Sequence, residues 1–107
     1  MRYYRYLYLG EDLKEKKEKI IGKIERGKLT WDIHIVTLPV GEKNQLEIYA
    51  CNQFLQRDYP KMDFFVVGIV KGYENAIELV EEIAKQVYNE TRSADIRSYI
   101  LKKEQEG

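Results

Sequence analysis

The sequence predicts an α+β fold: a single mixed β-sheet of about five strands with two helices, in the order β-α-β-β-β-α-β. Three observations carry this reading. Residues 2–9 form an aromatic run with period-two patterning, closed by Gly10. Residues 64–70 are apolar almost throughout, as a central strand covered on both faces should be. Residues 75–88 carry Ala76, Ile77, Leu79, Val80, Ile83, Ala84, Val87 and Tyr88, a wide apolar stripe at helical spacing.

The other elements follow in order. In the first strand the pleat puts Tyr4, Tyr6 and Tyr8 on one face and Tyr3, Arg5, Leu7 and Leu9 on the other. Residues 11–26 read as a helix with a narrow stripe of Leu13, Ile20, Ile21 and Ile24. Acids lead this helix, bases trail it, and Gly27 stands where a C-cap belongs. Residues 32–40 and 45–51 form a hairpin through Gly41-Glu42-Lys43-Asn44; Ile33 and Ile35 share a face, as do Leu46, Ile48 and Ala50. Residues 53–58 read as a short turn or helix that ends near Pro60. Residues 96–102 close the chain as a strand, because Ile96, Ser98 and Ile100 alternate with Arg97, Tyr99 and Leu101. The last strand is expected to run parallel to residues 64–70, since a helix crosses between them. One domain is expected over residues 1–101, followed by a frayed polar tail over 102–107.

With both helices on one face, the sheet is ferredoxin-like in outline with an added strand, and its other face is open to solvent or a partner. Without the first strand, the order α-β-β-β-α-β resembles the core of restriction-endonuclease-like nucleases. That family places acids on its second and third core strands, commonly as Asp/Glu-x-Lys, to hold a divalent metal. Here the second strand supplies Glu47, but the third ends Ile69-Val70-Lys71, with isoleucine where the acid belongs. Metal-assisted hydrolysis thus lacks a ligand.

Composition narrows function mostly by exclusion. The 107 residues hold 18 Lys+Arg and 18 Asp+Glu, so net charge is zero. Residues 1–30 carry nine bases against five acids, and the remainder is slightly acidic. A dedicated nucleic-acid domain is usually basic overall or carries a dense basic stripe. No apolar run approaches the roughly 20 residues of a membrane span, and none reads as a secretory signal. One cysteine cannot form an internal disulfide, and one cysteine with one histidine cannot make a structural zinc site. The expectation is a cytoplasmic protein without cofactor or metal.

Two constellations remain. Nine tyrosines are present, four of them within residues 3–8. With Arg2 and Arg5, the face of Tyr4, Tyr6 and Tyr8 suits a protein interface, including one with a second copy of the chain. The same residues suit stacking of single-stranded bases. The other constellation is Cys51 with His34. Pairing Val40 with Gln45 sets His34 across from Cys51, with Cβ atoms about 5 Å apart, close enough for a thiol–imidazole dyad that Asp32 or Asn52 could orient. The alternative is a buried cysteine beside a satisfied histidine. Gly68 and Gly72 bracket a strand-to-helix turn, yet neither phosphate-binding glycine pattern is present, so Gly68 marks a close approach of helix to sheet. The expected function is a non-catalytic interaction or regulatory module that binds itself or another protein. The alternatives are a nucleic-acid-binding accessory domain and a small thiol enzyme.

Overall fold

A computed structural model describes residues 2–28, 32–39, 45–51 and 64–106. Strand β1 (Arg2–Leu9) leads through a 3-10 turn (Glu11–Lys16) into helix α1 (Lys17–Glu25). Strands β2 (Ile33–Leu38), β3 (Glu47–Ala50) and β4 (Phe65–Lys71) follow, then helices α2 (Tyr73–Thr91) and α3 (Ile96–Glu106). The described strands form one mixed sheet in the order β1-β4-β2-β3. β1 runs parallel to β4, while β2 is antiparallel to both β3 and β4. The α+β class is as the sequence predicts, with four strands in place of five and three helices in place of two among the described residues. The predicted turn or helix over residues 53–58 lies outside the described residues.

β4 is the central strand, and both its faces are buried. On one face Val36, Leu38, Phe65, Val67 and Val70 pack against Ala76, Leu79, Ile83 and Val87 of α2 and Ile96 and Ile100 of α3. On the other, Ile33, Ile35, Val66 and Ile69 pack beneath Leu13, Ile20 and Ile24. Ile35, Ile69, Ile83 and Val87 are completely buried, and each such side chain contributes roughly 1.5–3 kcal/mol of transfer free energy. Helices therefore cover both faces. This departs from the expected ferredoxin-like outline, in which both helices share one face and the other stays open. The narrow stripe of the first helix suffices because β4 has no polar residue before Lys71 and presents apolar surface on either side.

The predicted final strand is a helix, and the reason is local. Asp95 caps α3: its Oδ1 accepts the Ser98 amide at 3.1 Å and its Oδ2 the Ser98 hydroxyl at 2.7 Å. These two hydrogen bonds hold the Asp95 carboxyl below its ordinary range. Ser93 Oγ in turn accepts the Asp95 amide at 3.0 Å. Ile96 and Ile100 are two strand repeats apart, but they are also one helical turn apart, and both are buried against α2 and the sheet. The Arg97 amide donates to Gln45 Oε1 at 3.0 Å, and the Arg97 guanidinium donates to the Pro39 carbonyl, which ties α3 to the hairpin. The polar stretch expected as a frayed tail is helical as far as Glu106. Gly27 does cap α1, at φ +69°; its amide reaches the Ile24 carbonyl, and the next amide, of Lys28, the Lys23 carbonyl.

β4 is bulged. Val36 pairs with Gly68 and Thr37 with Val66, so Val67 is the extra residue against β2. Against β1 the irregularity is larger: Tyr3 pairs with Val66 and Tyr8 with Gly68, so residues 4–7 of β1 span a stretch where β4 offers one residue.

Thr37 is fully buried, and its hydroxyl has no hydrogen-bond partner among the described residues. An orphaned buried hydroxyl costs about 1–3 kcal/mol relative to a satisfied one. Thr37→Val keeps the branched shape and removes that cost. It is expected to stabilise the protein by about 1 kcal/mol, raising Tm by roughly 4–8 °C. Thermal unfolding by circular dichroism checks this, and a lowered Tm contradicts it.

Candidate interaction surface on the first strand

Among the described strands β1 lies outermost, bonded to β4. Tyr4, Tyr6 and Tyr8 line one cleft, the face on which period-two alternation places them, and Gln86, Tyr99 and Lys103 complete it. Tyr4 is the floor, only 3% exposed and edge-on to Phe65 at 6.0 Å. Tyr6 stands nearly perpendicular to it, centroids 5.7 Å apart and planes at 78°, and is 52% exposed. Tyr8 stacks on Tyr4 at 6.2 Å.

A polar network ties this strand to both helices. The Tyr8 hydroxyl donates to Gln86 Oε1 at 2.8 Å, and Gln86 Nε2 donates to Glu90 Oε2 at 3.2 Å and to the Tyr99 hydroxyl at 3.3 Å. Tyr99 donates to Glu90 Oε1 at 3.1 Å. The Lys103 ammonium lies 5.7 Å from the Tyr99 ring centroid, a cation–π contact. Burial raises the Tyr4, Tyr8 and Tyr99 phenols above their ordinary range, Tyr99 to about 12; Glu104 adds to this at Tyr4, and Glu90 at Tyr8 and Tyr99. All three therefore stay protonated at neutral pH, and Tyr8 and Tyr99 serve as donors.

The arginines are placed differently. The Arg2 guanidinium lies 5.3 Å from the Phe65 ring centroid, and the Arg2 amide donates to the Phe64 carbonyl at 2.9 Å. The Arg5 amide donates to Glu104 Oε1 at 2.7 Å, so the end of α3 sits against this strand. On the opposite face Tyr3 donates to Glu25 Oε1 at 2.8 Å and anchors α1.

Sequence reasoning placed the tyrosines of β1 but missed Gln86, Glu90, Tyr99, Lys103 and Glu104. Gln86–Glu90 and Tyr99–Lys103 are i,i+4 pairs, which mark shared helix faces. The second pair is invisible once residues 96–102 are read as a strand.

Cys51 and His34 are not brought together. The hairpin pairs His34 with Ala50 and Ile35 with Tyr49, one residue away from the register that sets His34 against Cys51. Cys51 is buried with Ile33 and Ile35 on the α1 face. His34, between those two residues in the strand, points to the other face, where its ring meets Tyr73 at 5.8 Å. A one-residue slip reverses the face of every side chain, and the dyad geometry goes with it. Asn52 lies outside the described residues.

The endonuclease-like order is altered too, since its closing strand is α3. Glu47 accepts a hydrogen bond from the Tyr49 hydroxyl at 2.9 Å. Among the described residues no group of three or more His, Cys, Asp or Glu stands close enough to hold a metal ion. No described helix is long and apolar enough to cross a membrane. Comparison of the chain with protein-family models, curated proteins and solved structures finds no match.

Proposed function

We propose that the protein is a non-catalytic interaction module that self-associates along β1. The observation that carries this reading is the position of β1, an eight-residue outermost strand of a sheet whose two faces are already occupied by helices. Among the described strands β1 has no neighbour on its other side, and beside it the Tyr6 ring is 52% exposed, while the Arg5 amide is bonded to Glu104. An edge strand is a ready template for strand addition, and an antiparallel pairing of two β1 strands would extend the sheet across a two-fold axis.

Burial weighs against the nucleic-acid alternative. Tyr4 is 3% exposed and cannot stack a base, which leaves Tyr6 as the open ring of the three. Glu90 and Glu104 beside these rings repel phosphate.

The test is sedimentation velocity from about 1 to 100 μM, the range in which a modest dimer dissociates. A concentration-dependent dimer is expected, weakened about tenfold or more by Tyr6→Lys, which sets like charges near one another across the pairing. A monomer throughout, or a dimer indifferent to Tyr6→Lys, counts against the proposal. Oligonucleotide binding that falls steeply with salt would instead favour the nucleic-acid reading.

A further inference from the structure

We propose that Glu104, near the end of α3, guards the outer edge of β1: its carboxylate holds a backbone amide that a pairing strand needs, and a second copy of the chain docks there only by displacing it. This rests on the reading of β1 as a self-association edge and adds the group that limits it.

The direction of the amides is the first observation. The Arg2 amide donates to the Phe64 carbonyl at 2.9 Å and the Gly10 amide to the Ile69 carbonyl at 3.0 Å, so at both ends of the strand an even-numbered amide faces β4. Amides alternate between the two edges of a strand as side chains alternate between its faces. Arg5, an odd-numbered residue, has its amide on the outer edge, and there it donates to Glu104 Oε1 at 2.7 Å. That length is typical of a bond to an ionised acceptor, which is roughly twice as strong as a neutral one.

Arg5 stands mid-way along Arg2–Leu9. A strand added to this edge must bond the Arg5 amide or leave a gap in the middle of its ladder, so its carbonyl and the Glu104 carboxylate compete for one N–H. Sheet edges are commonly blunted by a charged side chain or by a helix laid against them. One residue of α3 does both here.

The guard is anchored and yet removable. Ile96 and Ile100 fix α3 to the core, at 6% and 0% exposure. Glu104 itself is only half-buried, so its side chain can turn into water while the helix stays in place. Displacement then breaks a single hydrogen bond and leaves no buried group unpaired.

The test compares the parent with Glu104→Ala and Glu104→Gln, both compatible with a helix. Association is read by sedimentation velocity, and the contact itself by the Arg5 amide resonance of dilute, isotope-labelled monomer. Glu104→Ala should move that resonance upfield, speed its exchange with solvent and tighten the dimer about fivefold or more, because both copies of a two-fold dimer lose their guard. Glu104→Gln keeps an acceptor oxygen without the charge and should tighten the dimer by less. Adding Tyr6→Lys to Glu104→Ala should abolish the gain. A parent dimer that Glu104→Ala leaves unchanged or weakens overturns the guard and leaves self-association standing. An equal gain from Glu104→Gln overturns it too, since the effect then follows charge alone, as does a gain that survives Tyr6→Lys. No dimer of either the parent or Glu104→Ala up to about 100 μM fails the self-association reading itself, and the guard with it. Far-ultraviolet circular dichroism of each variant confirms that α3 is intact.

Discussion

Ile100→Ala is expected to cost about 2–5 kcal/mol of stability, the range for emptying a fully buried isoleucine site. Ile100 is completely buried, one turn after Ile96, in the cluster that contains Tyr4, Phe65, Ile83 and Val87. A domain with about 5–15 kcal/mol in total loses a large part of it in one substitution. The neighbour Leu101 is 40% exposed, so Leu101→Ala should stay within about 0.5 kcal/mol of the parent. Lys102→Pro separates helix from frayed tail. Lys102 is exposed, so its side chain matters little, but proline there removes a backbone donor and clashes with the preceding turn, at a cost of about 3 kcal/mol in a helix interior. In a frayed tail the same proline is silent. Urea unfolding followed at 222 nm measures all three variants. A small loss from Ile100→Ala, or a silent Lys102→Pro, shows that α3 is not packed as described.

That pair of variants bears on the place where sequence reasoning failed. β1, β4 and α2 were legible because each has one unambiguous period: alternating tyrosines, an apolar run, and a stripe recurring every three or four residues. In residues 96–102 two periods coincide, since Ile96 and Ile100 satisfy both a strand and a helix. The deciding signal is Asp95, the residue just before the alternating segment, whose carboxylate accepts the amide and hydroxyl of Ser98 three residues on.

The hairpin failed differently. β2 reads Ile33-His34-Ile35-Val36-Thr37-Leu38 and is buried on both faces apart from half-buried His34. A strand apolar on both sides carries no alternation to fix its register, so His34 could be set against Cys51 or Ala50 with equal hydrophobic logic. Ile33 and Ile35 share a face, and Leu46 and Ile48 share a face, as predicted. They are opposite faces, since Leu46 and Ile48 pack towards the α2 cluster while Ile33 and Ile35 pack beneath α1. The cleft was half legible for a related reason: alternation groups Tyr4, Tyr6 and Tyr8, but α2 and α3 reach them only through tertiary packing, which a single sequence does not encode locally.

Gly68→Ala is expected to cost about 1–3 kcal/mol, the range for overpacking a filled core. A Cβ at this position would stand 2.6 Å from Leu79 Cδ2, with the Tyr8 carbonyl and Cβ at 3.4 and 3.5 Å on its other side. The close contact falls on the end of the Leu79 side chain, so Leu79 Cδ2 must turn aside into its packed surroundings. The loss should be traceable to that one contact. In a Leu79→Ala background the added methyl fills space instead of creating a clash, so a double-mutant cycle should show a coupling of about 1–3 kcal/mol, opposite in sign to the single losses. Additive losses would mean that the cost is backbone strain at the bulge and that the close approach is incidental. The consequence reaches the tyrosine cleft. Gln86 lies two turns along α2 from Leu79, on the same side of the helix, and its 2.8 Å bond to Tyr8 depends on how closely α2 sits on the sheet. The methyl of Gly68→Ala also stands 3.5 Å from Tyr8 Cβ, so the Tyr8 ring resonances should shift in this variant. Gly68 is thus the position where Leu79 of α2 and Tyr8 of β1 leave no room for a side chain without one of them giving way.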